Sequence, residues 1–233
     1  MSLMKPTDGI VSRYINRRIS IPISRFLVSK FGDVSPNKIT ITTTLFGFLA
    51  ASIYVLRMPL IAGILVQLAS ILDGVDGEVA RMLKKQSRFG GFLDSLLDRL
   101  VDISVIICFS IYAWWVVGGE VGPILFMLLG YMAISGSIMV SFFNARAEAS
   151  LGIHPRNIGG LPIATRDVRL FIVFLGSIIS VFIHTALIGT LLAIGILTYS
   201  YLAINALIIC RNYTDGPQSW ERAAQRKNNG YVL

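Results

Sequence analysis

From Leu72 to Asp102 the chain reads LDGVDGEVARMLKKQSRFGGFLDSLLDRLVD, six acidic residues within a sequence that is 54% hydrophobic and only 15% charged. Asp73 and Asp76 are three apart, Asp94 and Asp98 four apart. On helices these spacings put each pair on one face, and a turn between the helices brings the faces together. Four carboxylates gathered at a membrane boundary repel and resist desolvation, so either their pKa values rise or divalent cations neutralise them. The cation reading is favoured. Oxygen ligands without Cys or His select Mg²⁺, with Mn²⁺ or Ca²⁺ as alternatives, over zinc. Two such ions per site are a recurring device for phosphoryl displacement, binding the oxygens of the transferred group and offsetting charge on the leaving group.

Neighbouring residues suit a diphosphate. Gly77 and Ala80 keep one helix surface low enough for a base or sugar, Gly90 and Gly91 do the same at the next helix start, and the Arg81 guanidinium can fork onto phosphate oxygens. Glu78, Lys84, Lys85 and Arg88 read as solvated loop charges. Asp102 continues the Asp94, Asp98 spacing and is expected to pair with Arg99 or a neighbouring helix.

The elements that must hold these groups are membrane helices. Mean hydropathy is +0.69, and apolar runs long enough to cross about 30 Å of hydrocarbon are expected at Ile39–Leu56, Leu60–Leu72, Phe92–Val117, Ile124–Phe143, Leu170–Ile183 and Ala186–Cys210. The second and fifth are short and are expected to continue into Asp73–Ala80 and Arg166–Arg169. With the N-terminus inside, Arg57 is the only one of 21 Lys and Arg residues on the outer side. Both termini and the aspartates are therefore expected to face the cytoplasm, in a multi-pass protein of the cell membrane. The net charge of +8 then reflects positive-inside bias and an anionic ligand site, and no nucleic-acid partner is expected.

The fold expectation is an all-α integral membrane protein of six transmembrane helices preceded by an amphipathic juxtamembrane helix. The leader GIVSRYINRRISIPISRFLVSKFG alternates apolar residues with Arg13, Arg17, Arg18, Arg25 and Lys30, as a helix on an anionic membrane surface does, and Pro22 is expected to divide it. The organisation is thus an interfacial segment at 1–36, a catalytic six-helix domain at 37–212 and a flexible tail at 213–233.

Asp73, Asp76, Gly77, Ala80, Arg81, Gly90, Asp94 and Asp98 stand in the spacing D-x2-D-G-x2-A-R-x8-G-x3-D-x3-D. This resembles the signature of the CDP-alcohol phosphotransferases, also called CDP-alcohol phosphatidyltransferases, with every position filled. SPNKIT before the first span is similar to the family's Pro-Asn-x-x-Thr entry to its first helix. The resemblance implies a homodimeric enzyme with a polar cavity open to the cytoplasm, where an acceptor hydroxyl attacks the β-phosphorus of a metal-bound CDP-linked donor and CMP leaves. Asp73, Asp76 and Asp94 would be metal ligands, with Asp94 and Asp98 at the chemistry and Asp98 either a ligand or the base. Asp73, Gly77, Ala80, Arg81 and Gly90 would contact the nucleotide, with Thr40 an additional candidate.

Arg146, Arg156, Arg166 and Arg169 gather near the connection of the fourth and fifth spans. A phosphate on the incoming alcohol and positive-inside bias explain them about equally, with Arg146, Arg166 and Arg169 placed ahead of Arg156 as phosphate ligands. DGIVSRYINRRIS and ATRDVRLF further resemble the membrane parts of synthases joining CDP-inositol to inositol phosphate. Those often carry a fused cytidylyltransferase domain, for which this sequence offers no counterpart, so a lipid donor such as CDP-diacylglycerol or CDP-archaeol stands as the alternative. A cation channel and an intramembrane prenyltransferase fit less well: these acids lie at a boundary rather than midplane, and they form one compact cluster rather than two.

Overall fold

A computed structural model of the protein describes residues 9–152, 154, 155 and 163–214. Arg156, residues 1–8 of the expected leader and all but the first residues of the expected tail lie outside the described residues. The described residues are helical, with no strand among them. A π-helical stretch, Ser12–Asn16, leads into α1 (Arg17–Phe31). There follow α2 (Pro36–Val55), α3 (Pro59–Met82), α4 (Arg88–Val121), α5 (Pro123–Leu151), α6 (Arg166–Ile179) and α7 (Ala186–Thr214).

Local chemistry sets the ends. α2, α3 and α5 each start on a proline, whose fixed φ suits a first helical turn that needs no N–H. Ser87 caps α4, its hydroxyl accepting from the Gly90 N–H at 2.9 Å, as N-cap serines do. Within the helices, Thr44, Ser137, Thr190 and Thr198 return their hydroxyls to backbone carbonyls one turn back, the usual way to keep such groups satisfied in an apolar setting.

Among the described residues, five helices are long and apolar enough to cross a membrane: α2, α3, α4, α5 and residues 186–211 of α7. The chain is by this measure a multi-pass membrane protein. The expected fifth span, Leu170–Ile183, differs. α6 has 14 residues, or about 21 Å of helix, and gives way to a turn at Ser180, whose hydroxyl bonds to the Ser177 carbonyl at 2.8 Å.

The leader also departs from expectation. Pro22 does not divide it, because α1 runs unbroken from Arg17 to Phe31. Pro22 is exposed, so the carbonyl left without its helical N–H lies on the outer side of the helix. The buried face of α1 is polar, made of Arg17, Ser20 and Ser24, while Ile19, Phe26 and Phe31 point outward.

α2 packs on α3 and α4, α3 on α6 and α1, and α5 on α7. The core centres on Tyr54 and Phe109, both fully buried and edge-on at 5.4 Å. The Tyr54 hydroxyl shares a 2.6 Å hydrogen bond with Ser177 of α6. Gly63, near the start of α3, leaves no room for a Cβ against Ser177, the close helix approach that small residues permit in membranes. At the other end of α3, Asp73 pairs with Arg166. α6 therefore runs antiparallel to α3, from the carboxylate level back to the start of that helix.

Candidate active site

The end of α3 and the start of α4 carry the aspartates. Asp73, Asp94 and Asp98 each offer one oxygen within 4.8 Å of the others, and all three are half-buried. Three hard oxygen donors at that separation fit a Mg²⁺- or Mn²⁺-sized ion, which takes a few carboxylates and completes its shell with water or substrate oxygens. Asp76 is buried and turned aside: it accepts from the Thr40 hydroxyl, and its other oxygen accepts from the Gly77 N–H at 2.5 Å. Thr40 thus reaches the site through Asp76.

Two cavities meet here. One is lined by Asp73, Asp76, Asp94 and Asp98 together with Arg99, Arg166 and the polar face of residues 9–20, including Ser12, Asn16 and Ser20. The other is lined by Pro36, Asn37 and Thr40 from α2, Ala80 and Arg81 from α3, and Ser87, Gly90 and Gly91 at the α4 start. Asp76, Gly77, Arg81 and Asp94 line both. The expected nucleotide contacts Gly77, Ala80, Arg81, Gly90 and Thr40 consequently share one cavity, and Asp73 lies in the other. Arg81 and Gly77 face each other across one turn of α3, the guanidinium packing over the glycine.

The arginines divide. Arg166 enters the carboxylate cluster, its Nη1 lying 2.6 Å from Asp73 Oδ1 and 3.0 Å from Asp98 Oδ1. Its Nε donates to Asp102 Oδ1 at 2.7 Å. Arg169 is buried and donates to Asp102 Oδ2 at 2.8 Å and to the Ala164 carbonyl at 2.7 Å. Arg99 reaches the same Asp102 oxygen at 3.1 Å. Asp102 therefore gathers three guanidiniums, meeting the expectation of a pairing with Arg99 and a neighbouring helix. Arg146 is exposed on α5 and is not among the residues lining either cavity.

Glu78 corrects the sequence reading. It is not a solvated loop charge but a fully buried carboxylate. It accepts from Arg17 Nη1 at 2.7 Å, from the Ser20 hydroxyl at 2.6 Å and from the Ser24 hydroxyl at 2.5 Å. Burying a lone carboxylate is costly and burying one with three donors is tolerable, which is why α1 turns its polar face inward. Arg17 also reaches the Gly74 carbonyl at 3.2 Å, where any Cβ would run into the guanidinium. Next to it, Asn16 donates to Ser70 and accepts from Gln67 at 3.0 Å. Lys84, Lys85 and Arg88 are exposed, as expected, with Lys85 paired to Asp33. The α1 wall and Arg99 were missed as cavity groups; the only hint in the sequence is polar residues at helical spacing in the leader.

The CDP-alcohol phosphatidyltransferase family profile matches residues 33–211. The chain belongs to this family. Among curated members it is 43% identical over 139 residues to a bifunctional IPC transferase and DIPP synthase of Thermococcus kodakarensis, covering 60% of this chain and 30% of that protein. It is 35% identical over 145 residues to an archaetidylinositol phosphate synthase of Pyrococcus horikoshii, covering 62% of this chain and 70% of that protein. The chain spans about a third of the length of the bifunctional relatives it matches. Among solved CDP-alcohol phosphatidyltransferase-like structures, Mycobacterium tuberculosis phosphatidylinositol phosphate synthase with CDP-DAG bound superposes with a TM-score of 0.68 at 25% identity, covering 82% of this chain and 94% of that one. The same synthase has also been solved with manganese and citrate.

Proposed function

We propose that this family member transfers a substituted phosphate group from a CDP-linked alcohol to an acceptor hydroxyl and releases CMP, in a reaction that requires a divalent cation. The observation that carries the reading is the meeting of two cavities at Asp76, Gly77, Arg81 and Asp94, beside the Asp73, Asp94 and Asp98 cluster. A two-substrate transfer needs such a junction, because the attacking hydroxyl and the departing CMP must lie on opposite sides of the donor's β-phosphorus.

The cavity floored by Gly77, Ala80 and Gly90 takes the cytidine end, with Arg81 on the diphosphate and Thr40 holding Asp76 in place. Asp73, Asp76, Asp94 and Asp98 are the candidate cation ligands. Mg²⁺ or Mn²⁺ held by these residues, two per site by this reading, would offset charge on the diphosphate and on the CMP leaving group. The acceptor enters from the cavity lined by Arg99, Arg166 and the α1 segment. Its hydroxyl oxygen forms a bond to the β-phosphorus as the bond from that phosphorus to the bridging oxygen breaks. Asp98 receives the hydroxyl proton, and CMP leaves with the bridging oxygen. Arg166, backed by Arg169, is the candidate ligand for a phosphate on the acceptor; Arg146, exposed on α5, is the weakest candidate of these three.

The favoured substrates are CDP-inositol and inositol phosphate, giving di-inositol phosphate phosphate, in keeping with the highly similar DIPP synthases. A lipid donor is the second reading. It is supported by the archaetidylinositol phosphate synthases, of which the chain spans 70% and 78%, and by the solved relative with CDP-DAG bound. In both readings the protein works as a homodimer with its cavity and termini on the cytoplasmic side, α1 lying at the membrane surface. α6 makes a sixth crossing, since it traverses the packed stretch of α3 from Asp73 to Gly63.

Purified protein incubated with CDP-inositol and, separately, with CDP-diacylglycerol, each with inositol phosphate, tests this directly. CMP release with one donor selects between the readings. No CMP with either, in the presence of Mg²⁺ or Mn²⁺, overturns both.

A further inference from the structure

Arg166 bridges Asp102 and the carboxylate cluster. One edge of its guanidinium is fixed by Asp102, through Nε at 2.7 Å, and the other reaches oxygens of Asp73 and Asp98 at 2.6 and 3.0 Å. Those two carboxylates belong to the group whose oxygens lie within 4.8 Å and suit a cation. A guanidinium and a dication cannot both be held at full strength by the same carboxylate oxygens.

We infer that Arg166 is a positioning residue that couples cation binding to the binding of an anionic group on the acceptor. It competes with the divalent cation for Asp73 and Asp98, and a cation that wins releases the Nη1 edge to bind an anionic group in the acceptor cavity. Asp102 makes this a switch rather than a loss of the side chain, because it retains the Nε edge while the other edge changes partner, and Arg169 and Arg99 hold Asp102 in turn. The charges agree. Asp73, Asp76, Asp94, Asp98 and Asp102 against Arg99, Arg166 and Arg169 leave two net negative charges, and the two dications of the proposed site turn that into two net positive charges. The cluster therefore prefers a cation first and an anion second, and by linkage the anion tightens the cation as much as the cation tightens the anion. The inference rests on the phosphotransferase reading and adds an order of binding to it.

The test is cation binding rather than turnover. Mn²⁺ affinity is measured by electron paramagnetic resonance on the full-length protein in detergent or nanodiscs, with and without inorganic phosphate. In the natural protein, phosphate tightens Mn²⁺ binding by roughly tenfold, within the usual range of such couplings. In Arg166→Gln, Mn²⁺ binds more tightly without phosphate, and added phosphate changes its affinity by less than about twofold. Arg166→Lys keeps a positive charge but is too compact to span Asp102 and the carboxylate pair, and it also loses the phosphate effect; it serves should the neutral variant fail to assemble. An undiminished phosphate effect in either variant overturns the switch while leaving the cation site standing. No saturable Mn²⁺ binding by the natural protein overturns the phosphotransferase reading itself.

Discussion

Arg166 of α6 donates through Nε to Asp102 of α4 at 2.7 Å, and Asp102 retains only 4% of its side-chain exposure. Two helices distant in sequence are thus locked at the level of the chemistry, and the residue that locks them lies outside the family signature. Asp102→Asn leaves three guanidiniums without their shared carboxylate. Breaking a buried pair from one side costs about 3–5 kcal/mol, so thermal melting of the purified variant should fall well below that of the natural protein. An unchanged melting temperature contradicts the structural role given to Asp102.

Asp94→Asn and Asp98→Asn should abolish turnover, by at least about a thousandfold for loss of a group that acts on the transition state, while the variants still insert and assemble. Size-exclusion chromatography beside a CMP-release assay separates the two effects. Turnover near the natural rate in either variant removes that aspartate from the site.

Arg166→Ala should raise KM for the acceptor more than KM for the donor. It should also lower kcat, because Nη1 contacts Asp73 and Asp98, so the change spans ground-state binding and catalysis. Arg146→Ala, on an exposed position outside both cavities, should leave both KM values within about twofold, as surface changes away from a site do. Equal effects of the two substitutions mean that bulk positive charge, not a placed guanidinium, attracts the acceptor.

Arg17→Met uncovers the buried Glu78 carboxylate, whose remaining donors are the Ser20 and Ser24 hydroxyls. A loss of about 3 kcal/mol should free α1 from α3, read out as faster proteolysis between Arg17 and Phe31. The double variant Arg17→Met with Glu78→Gln should recover part of the loss, since it removes the unpaired charge. Protease resistance equal to the natural protein in Arg17→Met means that α1 is held by other contacts.

The aspartate spacing and long apolar runs made the helical architecture and the carboxylate cluster legible in the sequence, because both follow from local periodicity. What could not be read locally was set by tertiary partners. Glu78 resembles any solvated loop acid until α1 brings Arg17, Ser20 and Ser24 to it, and the inward polar face of α1 is the reverse of what a free amphipathic helix would choose. Asp76 belongs to the same motif as Asp73, yet its hydrogen bond from Thr40 of another helix cannot be read from the motif. The end of α6 at Ser180 could not be placed from an apolar run that continues to Ile183, since that stop depends on a hydroxyl-backed turn.

The central claim is that Asp73, Asp94 and Asp98 hold a divalent cation where the two cavities join. Anomalous scattering from crystals of the protein grown with Mn²⁺ tests it most directly. A peak within about 2.5 Å of carboxylate oxygens from those residues, lost in Asp94→Asn, is the predicted result. A Mn²⁺-saturated crystal with the three side chains well ordered and no peak between them contradicts it.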